Sequence, residues 1–160
     1  MDNYWSIGTR EEVKTPYNYV EQQCNYLNKI TGGKVIARIE TYEGKYKSEY
    51  SRILNVGSFF GEQYDVQDDL GDKDNKFVYQ FYLTSEFAPK YKYRIMFMAY
   101  GVSLYPLEIS LEKSIADEIG SMNTEMVIDT EEEFLELLKS ILKTEKVVGV
   151  VNNLLAIENV

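Results

Sequence analysis

The sequence predicts a single α+β domain, in which a mainly antiparallel twisted sheet of about five strands packs against an N-terminal helix and C-terminal helices. Three observations predict it: bulky residues alternate along 77–111, a capped amphipathic helix precedes that stretch, and two apolar helical stripes follow it. No linker, repeat or low-complexity segment divides residues 1–160, so one domain accounts for the chain.

The central strands are marked by a period of two. Bulky and polar side chains alternate over 77–84 and again over 91–100, which predicts an antiparallel hairpin, and the run 103–111 predicts a third neighbouring strand. Pro106 lacks the amide donor that a central strand position needs, so it favours an edge or a strand start.

The N-terminal part of the chain contains the helix. Thr15 and Pro16 are typical of a helix start, and the Gly32-Gly33 pair is typical of a helix end. Cys24 lies on the apolar stripe between them and is expected to be a small core residue, because the chain has no histidine to activate it as a nucleophile. Residues 1–14 form a tail that Trp5, with Tyr4 and Ile7, should dock onto the body.

Two strands and an acidic loop are expected next. Residues 35–42 and 46–56 predict the strands, and residues 62–75 form an acidic loop. A calcium site is the alternative for this loop, but Asp72 and Asp74 are not followed by the remaining ligands of a calcium-binding loop, so we expect no metal there.

The C-terminal part is predicted to be mostly helical. Residues 112–119 suit a short helix and residues 125–129 one more strand. The segment 130–133 reads Thr-Glu-Glu-Glu, the pattern of a capping box, and is therefore structural. Apolar stripes over 134–142 and 147–155 predict two packed helices after it.

Composition excludes several classes of function. The absence of histidine removes serine triads, cysteine–histidine pairs and the usual zinc sites, and no catalytic motif stands in their place. The net charge of −9, from 26 acidic and 17 basic residues, disfavours direct binding to a phosphate backbone. A single cysteine, no secretory signal and no apolar run of membrane-spanning length predict a soluble, cytoplasmic protein.

One surface is expected to carry the function. On the odd-numbered side of the hairpin, Phe81 and Phe97 should point into the core, which leaves the even-numbered side with a mixture of aromatic, methionine and basic residues. Such residues are enriched at protein interfaces. Two other interpretations are open: the N-terminal tail or a helix covers this side and the methionines fill the core, or the side forms a ligand groove. The candidate partner interface comprises Tyr82, Arg94, Met96, Met98 and Tyr100.

These observations predict a non-enzymatic module that binds another protein, one with a basic surface. Its fourteen tyrosines and surplus of acid are typical of acidic inhibitors and of immunity-type or anti-defence proteins from bacteria or phages. A small-molecule-binding domain or a carboxylate-dependent enzyme is the second hypothesis, and an acidic mimic of nucleic acid is the third. No cofactor, metal or membrane partner is expected.

Overall fold

A computed structural model describes residues 1–6, 13–44 and 76–157 and confirms the α+β class, with an N-terminal helix, a five-stranded antiparallel sheet and C-terminal helices. The elements in chain order are α1 (Pro16–Ile30), β1 (Val35–Thr41), β2 (Phe77–Ser85), β3 (Ala88–Tyr100), β4 (Leu107–Leu111), α2 (Lys113–Glu118), β5 (Glu125–Ile128), α3 (Glu131–Leu142) and α4 (Glu145–Ala156). The strand and the acidic loop predicted over 46–56 and 62–75 lie outside the described residues.

Local chemistry sets the ends of the helices. The Thr15 hydroxyl accepts a hydrogen bond from the Asn18 amide, and the Asn18 side chain in turn accepts from the Thr15 amide, which closes a capping box at the start of α1. Gly32 and Gly33 follow the helix with φ of 63° and 82°, a left-handed conformation that favours glycine. Thr130 caps α3 by accepting a hydrogen bond from the amide of Glu133.

The strands pair in chain order, β1-β2-β3-β4-β5, each antiparallel to its neighbour. The three predicted central neighbours are therefore confirmed. Pro106 directly precedes β4, a strand that pairs on both sides, so its position is a strand start and not an edge. In the part of the chain that the structure describes, no helix is both long enough and apolar enough to cross a membrane.

One apolar cluster joins the helices to a single face of the sheet. Phe81, with 2% of its surface exposed, packs there with Phe134 and Cys24, as sequence predicted for Phe81 and Cys24. Burial raises the pKa of the Cys24 thiol to about 12, so the group stays protonated and acts as a core residue. Tyr4 and Trp5 lie outside the cluster and are 85% and 87% exposed, so the expected docking of the N-terminal tail through Trp5 is wrong.

A bulge in β3 changes which side chains face the helices. Phe81 pairs with Met96, but the next residue, Tyr82, pairs with Arg94, so Ile95 is an extra residue on β3. An extra residue shifts the alternation by one position. The even-numbered residues of β3 after the bulge therefore point toward the helices, and Phe97 points away from them.

Candidate functional site

Four of the five predicted interface residues are buried, so the expectation that they form one exposed patch is wrong. Tyr82 is 3% exposed, Met96 1%, Met98 0% and Tyr100 3%. Only Arg94 is exposed. The structure also separates the set, because Met96, Met98 and Tyr100 belong to the apolar cluster under the helices, whereas Tyr82 and Arg94 do not.

Met96, Met98 and Tyr100, which face the helices, are part of the core. The hydroxyl of Tyr100 accepts a hydrogen bond of 3.3 Å from the amide of Tyr17 at the start of α1. The Tyr100 ring lies 5.7 Å from the ring of Tyr79, which in turn lies 4.9 Å from that of Tyr17. These contacts fix α1 on the sheet, so Tyr100 has a structural role.

The opposite side of the sheet is called here the second face. It is defined by the side chains that alternate with those of the apolar cluster, and it includes Arg38, Glu40, Tyr42, Gln80, Tyr82, Arg94, Phe97, Ala99 and Glu108. Phe97 lies here and is half-buried, so its predicted place in the main core is wrong. The bulge at Ile95 is the physical reason.

Arg94 is held on the second face by two aromatic rings and a glutamine side chain. Its guanidinium carbon lies 4.4 Å from the centre of the Phe97 ring and 5.4 Å from that of Tyr42, and the two rings are themselves 4.6 Å apart. Its Nε and Nη2 atoms donate to Oε1 of Gln80 at 3.3 and 3.1 Å. Stacking and hydrogen bonding together hold the planar group in one orientation.

The guanidinium keeps donors available. A guanidinium has five N–H groups, and Gln80 accepts from Nε and Nη2 only. Among the described residues, no carboxylate lies within 4.0 Å of Arg94. An exposed, oriented arginine with which no described carboxylate pairs has the geometry of a binding anchor.

Tyr82 lies beside Arg94 and is held by polar contacts. Its hydroxyl donates a hydrogen bond of 2.9 Å to Glu40, and Lys92 places its ammonium 4.8 Å from the centre of the ring. Burial, followed by the hydrogen bond to Glu40, raises the pKa of Tyr82. Arg38 reaches the same Glu40 carboxylate at 4.0 Å, with both side chains about half exposed.

A second ion pair crosses the other half of the second face. Lys76 Nζ lies 2.5 Å from Oε1 of Glu108, whose side chain is only 4% exposed. Removing Lys76 would leave the buried Glu108 carboxylate without this cation, so the pair links the start of β2 to β4 across β3.

The described residues line two cavities. One, of about 280 Å³, opens where β1 ends and β2 begins, and is lined mainly by Tyr42, Glu43, Lys76 and Phe77. The other, of about 200 Å³, lies between α1 and β1. The larger is lined by one carboxylate, Glu43, and the smaller by two, Glu21 and Glu40, with Arg38 beside them. In the described ranges no three cysteine or carboxylate side chains come together as a metal site.

Sequence reasoning found Arg94 but missed what orients it. Gln80 shares the even parity of Arg94 on the hairpin, but nothing in the sequence connects Tyr42 and Phe97 with Arg94. Tyr42 follows β1 and reaches Phe97 across β2, so only the pairing of three strands brings these residues together. The sequence does contain one indication. Arg38, Glu40 and Tyr42 all have even numbers, so they are expected on the side of β1 opposite to Val35.

Comparison of the chain with protein-family models, with curated proteins and with solved structures finds no significant match. The function of the chain is therefore argued from its own geometry.

Proposed function

We propose that this chain is a non-enzymatic protein-binding module whose partner contacts the second face around Arg94. The supporting observation is the Arg94 guanidinium itself, stacked on Phe97 and Tyr42, bound by Gln80, exposed, and without a carboxylate partner among the described residues. Arginine is one of the residues that contribute most to protein interfaces, and an ordered side chain loses little entropy when it binds.

The charge of the chain supports a partner with a basic surface. A net charge of −9 attracts such a partner over about one Debye length, roughly 8 Å at physiological salt. Within this class, an acidic inhibitor or an immunity-type protein of the cytoplasm is the form of the proposal that the composition favours. Raising the salt concentration should then slow association more than it speeds dissociation.

The two alternatives have less support. A small-molecule or carboxylate-enzyme site needs converging acids in a cavity of sufficient size. The larger cavity is lined by a single acidic side chain among the described residues, Glu43, and the smaller one, lined by Glu21 and Glu40, has only about 200 Å³, less than the roughly 300 Å³ at which ligand pockets begin. A nucleic-acid mimic needs rows of carboxylates, whereas the second face beside Tyr82 presents Arg38, Lys92 and Arg94.

Affinity capture from the native host tests the proposal, with the unaltered chain, Arg94→Ala and Lys139→Ala as three baits. Lys139 is exposed on α3, so its substitution removes the same charge away from the second face. A protein retained by the first and third baits should be lost by Arg94→Ala, whose affinity should fall by about 2 kcal/mol or more. Equal retention by all three baits would exclude the second face as the contact surface.

A further inference from the structure

A cluster of cations surrounds Tyr82 on this otherwise acidic chain. Arg38 on β1, Tyr82 on β2 and Arg94 on β3 occupy directly opposed positions on three adjacent strands. Lys92 lies over the Tyr82 ring on the same face. This group of Arg38, Lys92 and Arg94 is called here the basic row.

The basic row is not neutralised within the part of the chain that the structure describes. Glu40 is the carboxylate that contacts it, and that contact is the 4.0 Å ion pair with Arg38. An exposed pair at this distance contributes little, because solvent screens it. Lys92 and Arg94 have no carboxylate within 4.0 Å among the described residues, so the row keeps a local positive charge.

We infer that the basic row, with Arg94 as its anchor, binds carboxylate side chains presented by an acidic segment of the partner protein. The inference rests on the proposed function and names the partner chemistry at its site: the partner's basic surface faces the acidic remainder of the chain, and an acidic segment of the same partner contacts the basic row. The remaining donors of the Arg94 fork match the two oxygens of a carboxylate. Arg38 lies two strands away, roughly 10 Å at the usual strand spacing, so a segment with two carboxylates can contact both arginines.

A protein segment fits this site better than a nucleic acid does. Affinity for a phosphate backbone grows with the number of phosphates that are neutralised, and three cations neutralise few. A long polyanion would also extend beyond the row toward the carboxylates that give the chain its net charge of −9. A short acidic segment contacts the local positive charge and avoids most of that repulsion.

Peptide binding to the full-length chain tests the inference. The probes are an eight-residue peptide of glycine and serine with two glutamates, the same peptide with glutamines, and a short oligothymidylate. The glutamate peptide should bind saturably and shift the NMR signal of the Arg94 Nε–H group, with an affinity about tenfold or more above that of the glutamine peptide.

Three variants make the test specific. Arg94→Gln should lower the affinity for the glutamate peptide about tenfold or more, and Arg94→Lys should recover only part of it, because lysine keeps the charge without the fork. Lys139→Gln removes the same charge elsewhere and should leave binding unchanged.

Several results would overturn the inference. These are equal binding of the glutamate and glutamine peptides, no saturable binding of either, an equal loss of affinity in Lys139→Gln and Arg94→Gln, or tighter binding of the oligothymidylate.

If the peptides do not bind while a captured protein still depends on Arg94, the carboxylate chemistry is wrong and the proposed function stands. If no captured protein depends on Arg94 while the glutamate peptide binds as described, the proposed function fails and the anion site remains.

Discussion

Tyr82 and Arg94 lie directly opposite each other on β2 and β3, although Phe81, the preceding residue, lies opposite Met96. Ile95 is the extra residue between these two pairs. It places Met96 and Arg94 on opposite faces of the sheet even though both have even numbers. The bulge therefore separates the core methionines from the exposed arginine.

The first prediction concerns the two phenylalanines that this bulge separates. Phe81→Ala should lower the free energy of unfolding by about 3 to 5 kcal/mol, because it leaves a cavity in the apolar cluster. Phe97→Ala should lower the free energy of unfolding by roughly half as much, since Phe97 is half-buried on the second face. Urea unfolding measures both. Equal losses in the two variants would contradict the register of β3.

The second prediction concerns β1, the edge strand of the sheet that the described residues form. The Asn28 side chain accepts a hydrogen bond of 2.8 Å from the Ala37 amide and donates one of 3.4 Å to the Ala37 carbonyl. Asn28→Ala should cost about 1 to 2 kcal/mol of stability and expose unpaired backbone groups to pairing with a second copy. Denaturation and sedimentation can measure these effects. Asn25→Ala, a substitution of an exposed residue on the same helix, is the control. Equal changes of stability and of self-association in both variants would show that Asn28 does not protect β1.

The third prediction concerns alkaline stability. Burial, followed by the neighbouring Tyr100, raises the pKa of Tyr79 from 10.0 to about 12. Because the folded state holds this proton more tightly, the stabilisation is complete below pH 10.0 and is lost as the pH rises toward about 12. Tyr79→Phe should therefore unfold with a shallower pH dependence in that window. An unchanged slope would show that Tyr79 does not contribute.

The fourth prediction concerns acid stability at the start of α2. Burial alone would raise the pKa of Glu112, but hydrogen bonds from the Ser114 amide and the Tyr93 hydroxyl outweigh it and lower the pKa below 4.5. This stabilisation is present above pH 4.5 and is lost as the pH falls through the folded-state pKa. Glu112→Gln should be less stable than the unaltered chain at neutral pH, and the difference should shrink in acid. A difference that persists in strong acid would point to packing instead.

The sequence by itself determined the fold class and the ends of several elements, because those depend on short-range chemistry. It misplaced the starts of β3 and β4, which lie at Ala88 and Leu107 and not at residues 91 and 103. Alternation over residues 77–84 identified β2, the glycine pair after α1 identified its end, and Thr130 identified the start of α3. Each of these signals acts between residues a few positions apart. They can be read from the chain without knowing which strands are neighbours.

Tertiary structure alone decided which face each residue of β3 occupies and what surrounds Arg94. Ile95 carries no local mark of a bulge, since its effect arises from the register with β2. The Arg94 site likewise combines Tyr42 beyond β1, Gln80 on β2 and Phe97 on β3. Contacts between strands distant in sequence depend on long-range pairing, and pairing fixes side-chain faces only after the whole sheet has formed.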